Sequence, residues 1–142
     1  MISIMTAPIC LSRKQAAKRR SLRWEKLSEF LAFADLPTLS PVQRVAYLAY
    51  EYQTHIIEMA GHHDYFSTCC SPDYSEVVSA LQSVGAVEQA SILATALEAV
   101  YAASERAPKK YANRFLAGVE YADFVQFDSA MQQCSRPVPE CL

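Results

Sequence analysis

The densest group of side chains able to do chemistry lies in one short segment and consists of His62, His63, Asp64, Cys69 and Cys70. Imidazole nitrogens and thiolates are the usual ligands of zinc, which prefers two separated pairs or a pair on one helical face. Adjacent residues usually point apart, so the His-His and Cys-Cys pairs do not match the usual zinc spacings. We expect one member of each pair to be buried and the other solvated, with no bound metal.

The same segment could supply a cysteine nucleophile, with His55, His62 or His63 as its base. Such a dyad needs an oriented base and an oxyanion site, and nothing around either cysteine resembles a nucleophile elbow. The chain has only three glycines, which are too scattered to form a phosphate-binding loop. We therefore predict a non-enzymatic protein without a cofactor. A metal-dependent or thiol enzyme built on this segment remains an alternative.

The charges of the chain are distributed unevenly along the sequence. Residues 1–26 contain seven basic residues and one acid, a net charge of +6, whereas residues 27–142 contain six basic residues and 14 acids, a net charge of −8. A rigid surface that presents carboxylates attracts a basic protein and makes its binding selective. We predict that such a face binds a basic partner protein, for example a toxin, a regulator or a nucleic-acid-binding protein, through Glu51, Glu58, Asp64, Asp73 and Glu76.

The basic N-terminal segment allows a different interpretation. Lysine and arginine side chains in residues 13–26 could contact nucleic-acid phosphates directly, with an affinity that depends on salt. Only Trp24 lies beside them, so the aromatic residues that stack on bases are missing. We favour a flexible, solubilising arm and keep direct nucleic-acid binding as a second alternative.

Proline and glycine divide the chain into helical segments. None of the seven prolines or three glycines interrupts a stretch with helical periodicity, and no stretch alternates like a strand. The fold class expected is all-α, a single compact bundle of about five or six helices with a basic N-terminal arm. The domain boundaries expected are 1–23 for the basic, flexible arm, 24–135 for the helical domain and 136–142 for a loose tail.

The clearest signals in the sequence mark the ends of helices. Ser40-Pro41 provides an N-cap followed by a first-turn proline, and the helix is predicted to continue to about Ala60. Gly85 is placed to end a later helix in a left-handed cap. The buried face of the helix that starts at Pro41 is predicted to contain Val45, Leu48, Ala49, Tyr52, Ile56 and Met59.

Other features of the sequence bear on the compartment. No apolar run reaches the roughly 20 residues that cross a bilayer, and the N-terminus lacks the order of a secretory signal. Five cysteines, an odd number, do not suggest a disulfide scaffold. We expect a cytoplasmic protein with free thiols and no membrane contact, and an organellar presequence is the minor alternative.

The segment from Leu39 to Met131 resembles a family of small helical domains typified by a bacterial DNA-mimic protein. The family signature, Asn-Gly-Gly-Phe-x-Gln-Tyr/Phe-Phe, corresponds to Met-Ala-Gly-His-His-Asp-Tyr-Phe at residues 59–66. Val84-Gly85-Ala86, the stretch Ala90–Leu97 and Phe127-Asp128 match further family elements in order and spacing. The signature departs from the family at four positions, where Met59, Ala60, His62 and Asp64 replace Asn, Gly, Phe and Gln.

The resemblance implies a fold more directly than a function. It implies that Gly61 allows a tight turn and that Tyr65 and Phe66 fill the core beneath it. In the DNA-mimic member, surface carboxylates imitate DNA phosphates for a DNA-binding protein, and other members are thought to act as small protein-binding inhibitors. The resemblance therefore implies an inhibitor or immunity-type binder without choosing its partner.

Overall fold

The computed structural model describes residues 13–68, 73–135 and 137–141, and within these ranges every regular element is a helix. The all-α fold class is confirmed. The helices are α1 Arg13–Ala32, α2 Pro41–Gln53, α3 His62–Thr68, α4 Tyr74–Ser83, α5 Val87–Arg106, α6 Arg114–Tyr121, α7 Val125–Gln132 and the single turn α8 Val138–Cys141.

Helix α2 begins with the cap that the sequence indicates. The Ser40 side chain accepts a hydrogen bond from the Gln43 amide at 3.3 Å, and the Gln43 side chain accepts one from the Ser40 amide at 3.0 Å. This reciprocal capping box satisfies two amides that the first turn leaves without intrahelical partners. Pro41 occupies the first turn, where its missing N–H removes no helical hydrogen bond.

The predicted continuation of this helix to about Ala60 is confirmed as far as Glu58, but its last turn is not α-helical. Helix α2 ends at Gln53 and is followed by a π-helical turn, Thr54–Glu58. The extra residue in such a turn rotates the following side chains by roughly 100° relative to an α-helix. Leu48 and Tyr52 are buried as predicted, but Met59, predicted to be buried, is 59% exposed because the turn changes the register.

The end of α4 follows the sequence prediction. Gly85 has a φ of +83°, in the left-handed region that favours glycine. Its amide donates to the carbonyl of Gln82 at 3.0 Å, and the amide of Ala86 donates to the carbonyl of Leu81 at 2.8 Å. These two hydrogen bonds form a Schellman motif, which closes α4 and starts α5 one residue later.

Helix α5 is the central element of the bundle, because it packs against α4, α6 and α7, while α2 packs against α4. Leu93 and Val100 of α5 are fully buried, as is Leu81 of α4. Gly118 lets α6 approach α5 closely, since a Cβ there would collide with the backbone carbonyl of Val100. Gly118 therefore lies inside α6, at its crossing with α5.

The first and last described helices, α1 and α8, pack against each other. Residues 1–12 of the predicted arm lie outside the described residues, and α1 begins at Arg13. Leu31 of α1 is 1% exposed, and Val138 of α8, in the segment predicted to be a loose tail, is fully buried. Helix α8 packs against both α1 and α2. No helix in the described part of the chain is long and apolar enough to cross a membrane.

Candidate functional site

His62 is the first residue of α3 and lies at the centre of a buried polar cluster. Its Nε2 atom is 2.7 Å from the Tyr52 hydroxyl, and its Nδ1 atom is 2.6 Å from a carboxylate oxygen of Asp128. The His62 backbone amide donates to the same oxygen at 2.9 Å. The cluster therefore links α2, α3 and α7 by hydrogen bonds, with His62 and Tyr52 in the core and the Asp128 side chain 39% exposed at its edge.

The surroundings of His62 favour the neutral imidazole. Burial lowers the pKa of His62 below its ordinary value, although the hydrogen bond to Asp128 acts in the opposite direction. Burial also raises the pKa of Tyr52 well above its ordinary value, so the phenol keeps its proton. In the consistent arrangement, His62 Nδ1–H donates to Asp128 and Nε2 accepts from Tyr52 O–H.

Gly61 is required for the approach of Asp128 to His62. It has a φ of +86°, and a Cβ at this position would lie 2.6 Å from a carboxylate oxygen of Asp128. The resemblance implied a tight turn at Gly61, and the structure adds that the space beside the glycine is occupied by Asp128. No role was predicted for Asp128 from the sequence, where its only signal was the match of Phe127-Asp128 to a family element.

Tyr65 and Phe66 have the packing role that the resemblance implied. They are 0% and 2% exposed, respectively. Tyr65 contacts the ring of Tyr52 edge-on at 5.2 Å between centroids, and Phe66 contacts Tyr74 edge-on at 5.3 Å. Helix α3 is thus held by aromatic rings from α2 and α4 on its inner side.

The histidine pair divides as predicted, with one buried and one solvated member. His62 is fully buried with both ring nitrogens hydrogen-bonded, whereas the His63 side chain is 52% exposed. Within the described ranges, no group of three or more His, Cys, Asp or Glu side chains is placed to hold a metal. Cys69 and Cys70 lie outside the described residues.

The thiols that the structure does describe are those of Cys134 and Cys141, and both are partly buried and outside any disulfide. Burial raises the pKa of Cys134 to about 11, and the neighbouring carboxylate of Glu88 acts in the same direction. A thiol with a raised pKa holds little thiolate at neutral pH and is a poor nucleophile.

None of the five carboxylates predicted to bind a partner is buried, but their surroundings differ. Glu76 forms a bidentate ion pair with Arg44, one bond of which is 2.9 Å long, and this pairing lowers the pKa of Glu76. Glu51 is partly buried two helical turns after Arg44 on α2, and Glu58, at the end of the π-helical turn, is exposed.

Asp73 and Asp64 each have a local structural partner. Asp73 is the N-cap of α4 and accepts hydrogen bonds from the amides of Ser75 and Glu76, at 3.1 and 3.3 Å. The hydrogen bond from the Ser75 hydroxyl lowers the pKa of Asp73. Asp64 lies 3.1 Å from Nδ1 of His55. We call the group Glu51, Glu58, Asp64, Asp73 and Glu76 the acidic surface.

Every histidine of the chain lies against a carboxylate, which the sequence did not indicate. His55 contacts Asp64 and His62 contacts Asp128, while Nε2 of His63 is 3.4 Å from Glu120. The partners of His62 and His63 lie on α7 and α6, more than 50 residues along the chain. No local pattern in the sequence could indicate these two pairs.

Comparison with known proteins assigns the family. The family model described as DMP19-like protein matches residues 37–139. No curated protein matches the chain. No solved structure matches it either. The matched region is most of the chain and contains α2 to α7 with the whole polar cluster around His62. The match confirms the resemblance described from the sequence, and the chain belongs to the DMP19-like protein family.

Proposed function

We propose that this protein is a non-enzymatic inhibitor that binds a basic, DNA-binding protein through its acidic surface and so competes with DNA. The observation that carries the proposal is a set of five unburied carboxylates on α2, α3, α4 and their connections, in a member of a family named for a DNA mimic. Family membership supports the proposed kind of partner, and the unburied position of the carboxylates supports their choice as the binding surface.

The size of the acidic surface is compatible with one DNA strand. The segment from Arg44 to Glu58 rises about 21 Å along α2 and the turn after it, at about 1.5 Å per residue step. One strand of B-DNA carries about six phosphates over that length, at about 3.4 Å each. These five carboxylates and Arg44 together carry a net charge of −4. We expect the protein to imitate a short stretch of one strand and to bind less tightly than DNA of equal length.

The basic residues of the body lie mainly on other elements. Four of the six that follow residue 26 lie within residues 106–114, at the end of α5 and the start of α6. Arg114 hydrogen-bonds the carbonyls of Ala107 and Pro108 at 3.1 and 3.0 Å, as well as that of Ser104, and so caps the C-terminus of α5. None of the five carboxylates belongs to α5 or α6. Most of the basic residues that follow residue 26 therefore lie on elements that do not contribute to the acidic surface.

The test is an affinity capture from native lysate with competition by duplex DNA. The wild-type protein should retain one stoichiometric protein, and added duplex DNA or salt should release it. The double variant Glu51→Gln/Glu58→Gln should lose the partner. The matched control Glu98→Gln/Glu105→Gln changes two exposed carboxylates on α5 by the same charge and should keep it. Asp73 is left unchanged because it caps α4.

Two outcomes would contradict the proposal. One is the absence of any stoichiometric protein partner in the wild-type capture. The other is equal retention by both double variants, which would remove the acidic surface from the binding. Direct nucleic-acid contact by residues 13–26 stays a prediction, and a gel shift abolished by deletion of residues 1–23 would support it.

A further inference from the structure

Most of the positive charge of the acidic body is concentrated where α5 passes into α6. Arg106, Lys109, Lys110 and Arg114 lie within a stretch of nine residues, 106–114, that contains no acid. All four residues are exposed. A cluster of exposed cations on a protein of negative net charge creates a local positive potential, which attracts an anionic partner to that one place.

Hydrogen bonds hold this connection between the helices in one conformation. The Tyr111 amide donates to the Pro108 carbonyl at 3.3 Å, which closes a turn with Lys109 and Lys110 at its two central positions. The Arg114 side chain donates to three carbonyls at the end of α5 and in the connection. The two lysines are therefore carried by a fixed turn, and a partner would not have to order the backbone on binding.

Three of the cations have no carboxylate partner in the part of the chain that the structure describes. Arg106, Lys109 and Lys110 form no ion pair there. Arg44 differs from them, because Glu76 neutralises it. The charges of these three side chains are thus available to an external anion.

Two tyrosine rings lie beside the lysines. Nζ of Lys110 is 5.4 Å from the ring centroid of Tyr111, and the Tyr111 ring contacts that of Tyr121 edge-on at 6.0 Å between centroids. A side-chain hydrogen bond with Tyr111 raises the pKa of Tyr121 above its ordinary value, so the phenol stays neutral. Tyr121 is nevertheless 49% exposed, which leaves part of its ring open to a partner.

We propose that Arg106, Lys109, Lys110, Tyr111 and Tyr121 form a surface, the basic corner, that binds single-stranded nucleic acid. Cations that contact phosphates beside an aromatic ring that stacks on a base are the combination by which proteins bind single strands. A duplex keeps its base faces stacked inside, and an acidic peptide has no bases, so neither would use the exposed ring.

The basic corner is separate from the surfaces considered so far. None of its residues lies on α2, α3 or α4, which carry the acidic surface with their connections. It also lies outside residues 13–26, for which the sequence allowed nucleic-acid contact. The inference therefore goes beyond the proposed function, and either one can fail without the other.

The number of cations sets the expected strength and salt dependence. If each of the three cations neutralises one phosphate of a single strand, the logarithm of the binding constant should fall against the logarithm of the salt concentration with a slope of about −2. One charge contact at about 4 Å in water changes affinity about fivefold at low ionic strength. One stacked base changes it by at least about fivefold.

The experiment uses the full chain and a fluorescent oligothymidine of about ten nucleotides, followed by anisotropy at several low salt concentrations. The variant Lys109→Gln/Lys110→Gln should bind about 25-fold more weakly than the wild type, with a slope of about −0.7. Tyr121→Leu should bind at least about fivefold more weakly with an unchanged slope, because it removes a stacking surface and no charge.

The matched control is Lys18→Gln/Lys26→Gln, which removes the same charge from two exposed positions of α1. It should bind the oligonucleotide within about twofold of the wild type, because neither lysine belongs to the basic corner. Circular dichroism checks that every variant is folded.

Four results would overturn the proposal. The first is that the wild type does not bind the oligonucleotide at low ionic strength. The second is that the control loses as much affinity as Lys109→Gln/Lys110→Gln, which would assign the binding to overall charge or to the N-terminal segment. The third is wild-type affinity in Tyr121→Leu. The fourth is equally tight binding of a fluorescent polyglutamate of the same charge, which would identify an acidic protein as the partner.

Discussion

Replacing Gly61 by alanine should destabilise the protein much more than replacing Gly85, although the two glycines have nearly the same backbone conformation. Their φ angles are +86° and +83°. A residue with a Cβ is strained in this region by about 1–2 kcal/mol. At Gly85 nothing lies within 4 Å of the added Cβ, so strain is the whole expected effect.

At Gly61 the added Cβ would also meet three side-chain atoms of Asp128, at 2.6 to 2.9 Å. The carboxylate must then move and give up its hydrogen bonds to the amide and the ring of His62. Because the Asp128 side chain is 39% exposed, water replaces part of this interaction, and we assign the loss about 2 kcal/mol. The expected total is about 3–4 kcal/mol for Gly61→Ala and about 1–2 kcal/mol for Gly85→Ala.

Urea unfolding followed by circular dichroism measures the free energy of unfolding of both variants. In thermal unfolding, the Tm should fall by roughly 12 °C for Gly61→Ala and roughly 5 °C for Gly85→Ala. A double-mutant cycle isolates the cause, since in an Asp128→Ala background the excess cost of Gly61→Ala should disappear. Equal destabilisation by the two glycine substitutions would refute the reasoning, as would an excess that persists without the Asp128 carboxylate.

Three further predictions concern other parts of the structure. The pKa of His62 is lowered in the folded protein, so its contribution to stability is complete above the ordinary histidine pKa and is lost as the pH falls toward the lowered pKa. The variant His62→Phe should be less stable than the wild type at neutral pH. Its Tm, measured against pH, should fall less than that of the wild type between about pH 7 and 5. A His62→Phe profile as steep as that of the wild type would exclude this histidine as the cause. Gly118→Ala should lower the free energy of unfolding, measured with urea, by about 3 kcal/mol or more, because its Cβ would collide with the backbone of Val100. A decrease below about 1 kcal/mol would contradict the tight helix crossing. Ser40→Ala should cost about 1 kcal/mol by removal of the capping box with Gln43, and an unchanged midpoint would show that the cap contributes nothing.

The features that could be predicted were those controlled by neighbours in the sequence. The N-cap at Ser40 and the left-handed cap at Gly85 depend on a few adjacent residues, so residue type alone indicates them. The buried positions of Leu48 and Tyr52 follow from helical periodicity. The π-helical turn could not be predicted, because periodicity assumes a constant number of residues per turn, and the error appeared at Met59.

The candidate site was predicted less completely than the fold. The sequence identified His62 as a chemically interesting residue but could not show that it faces the core, bonded to Tyr52 and Asp128. The sequence also indicated a set of acidic residues without showing that Arg44 neutralises Glu76 or that Asp73 caps α4. These outcomes depend on which helices pack together, and the residues involved are up to 66 positions apart.

By itself, the sequence determined the all-α class, several helix ends and the separation of a basic N-terminal segment from an acidic body. These properties follow from composition, periodicity and short-range hydrogen bonding, which act within one or two helical turns. Only the tertiary structure decided which carboxylates are paired, which histidine is buried and which glycine has no space for a side chain. Each of these is set by an approach of two helices, because a hydrogen bond or a steric contact acts over a few ångströms between residues far apart in the chain.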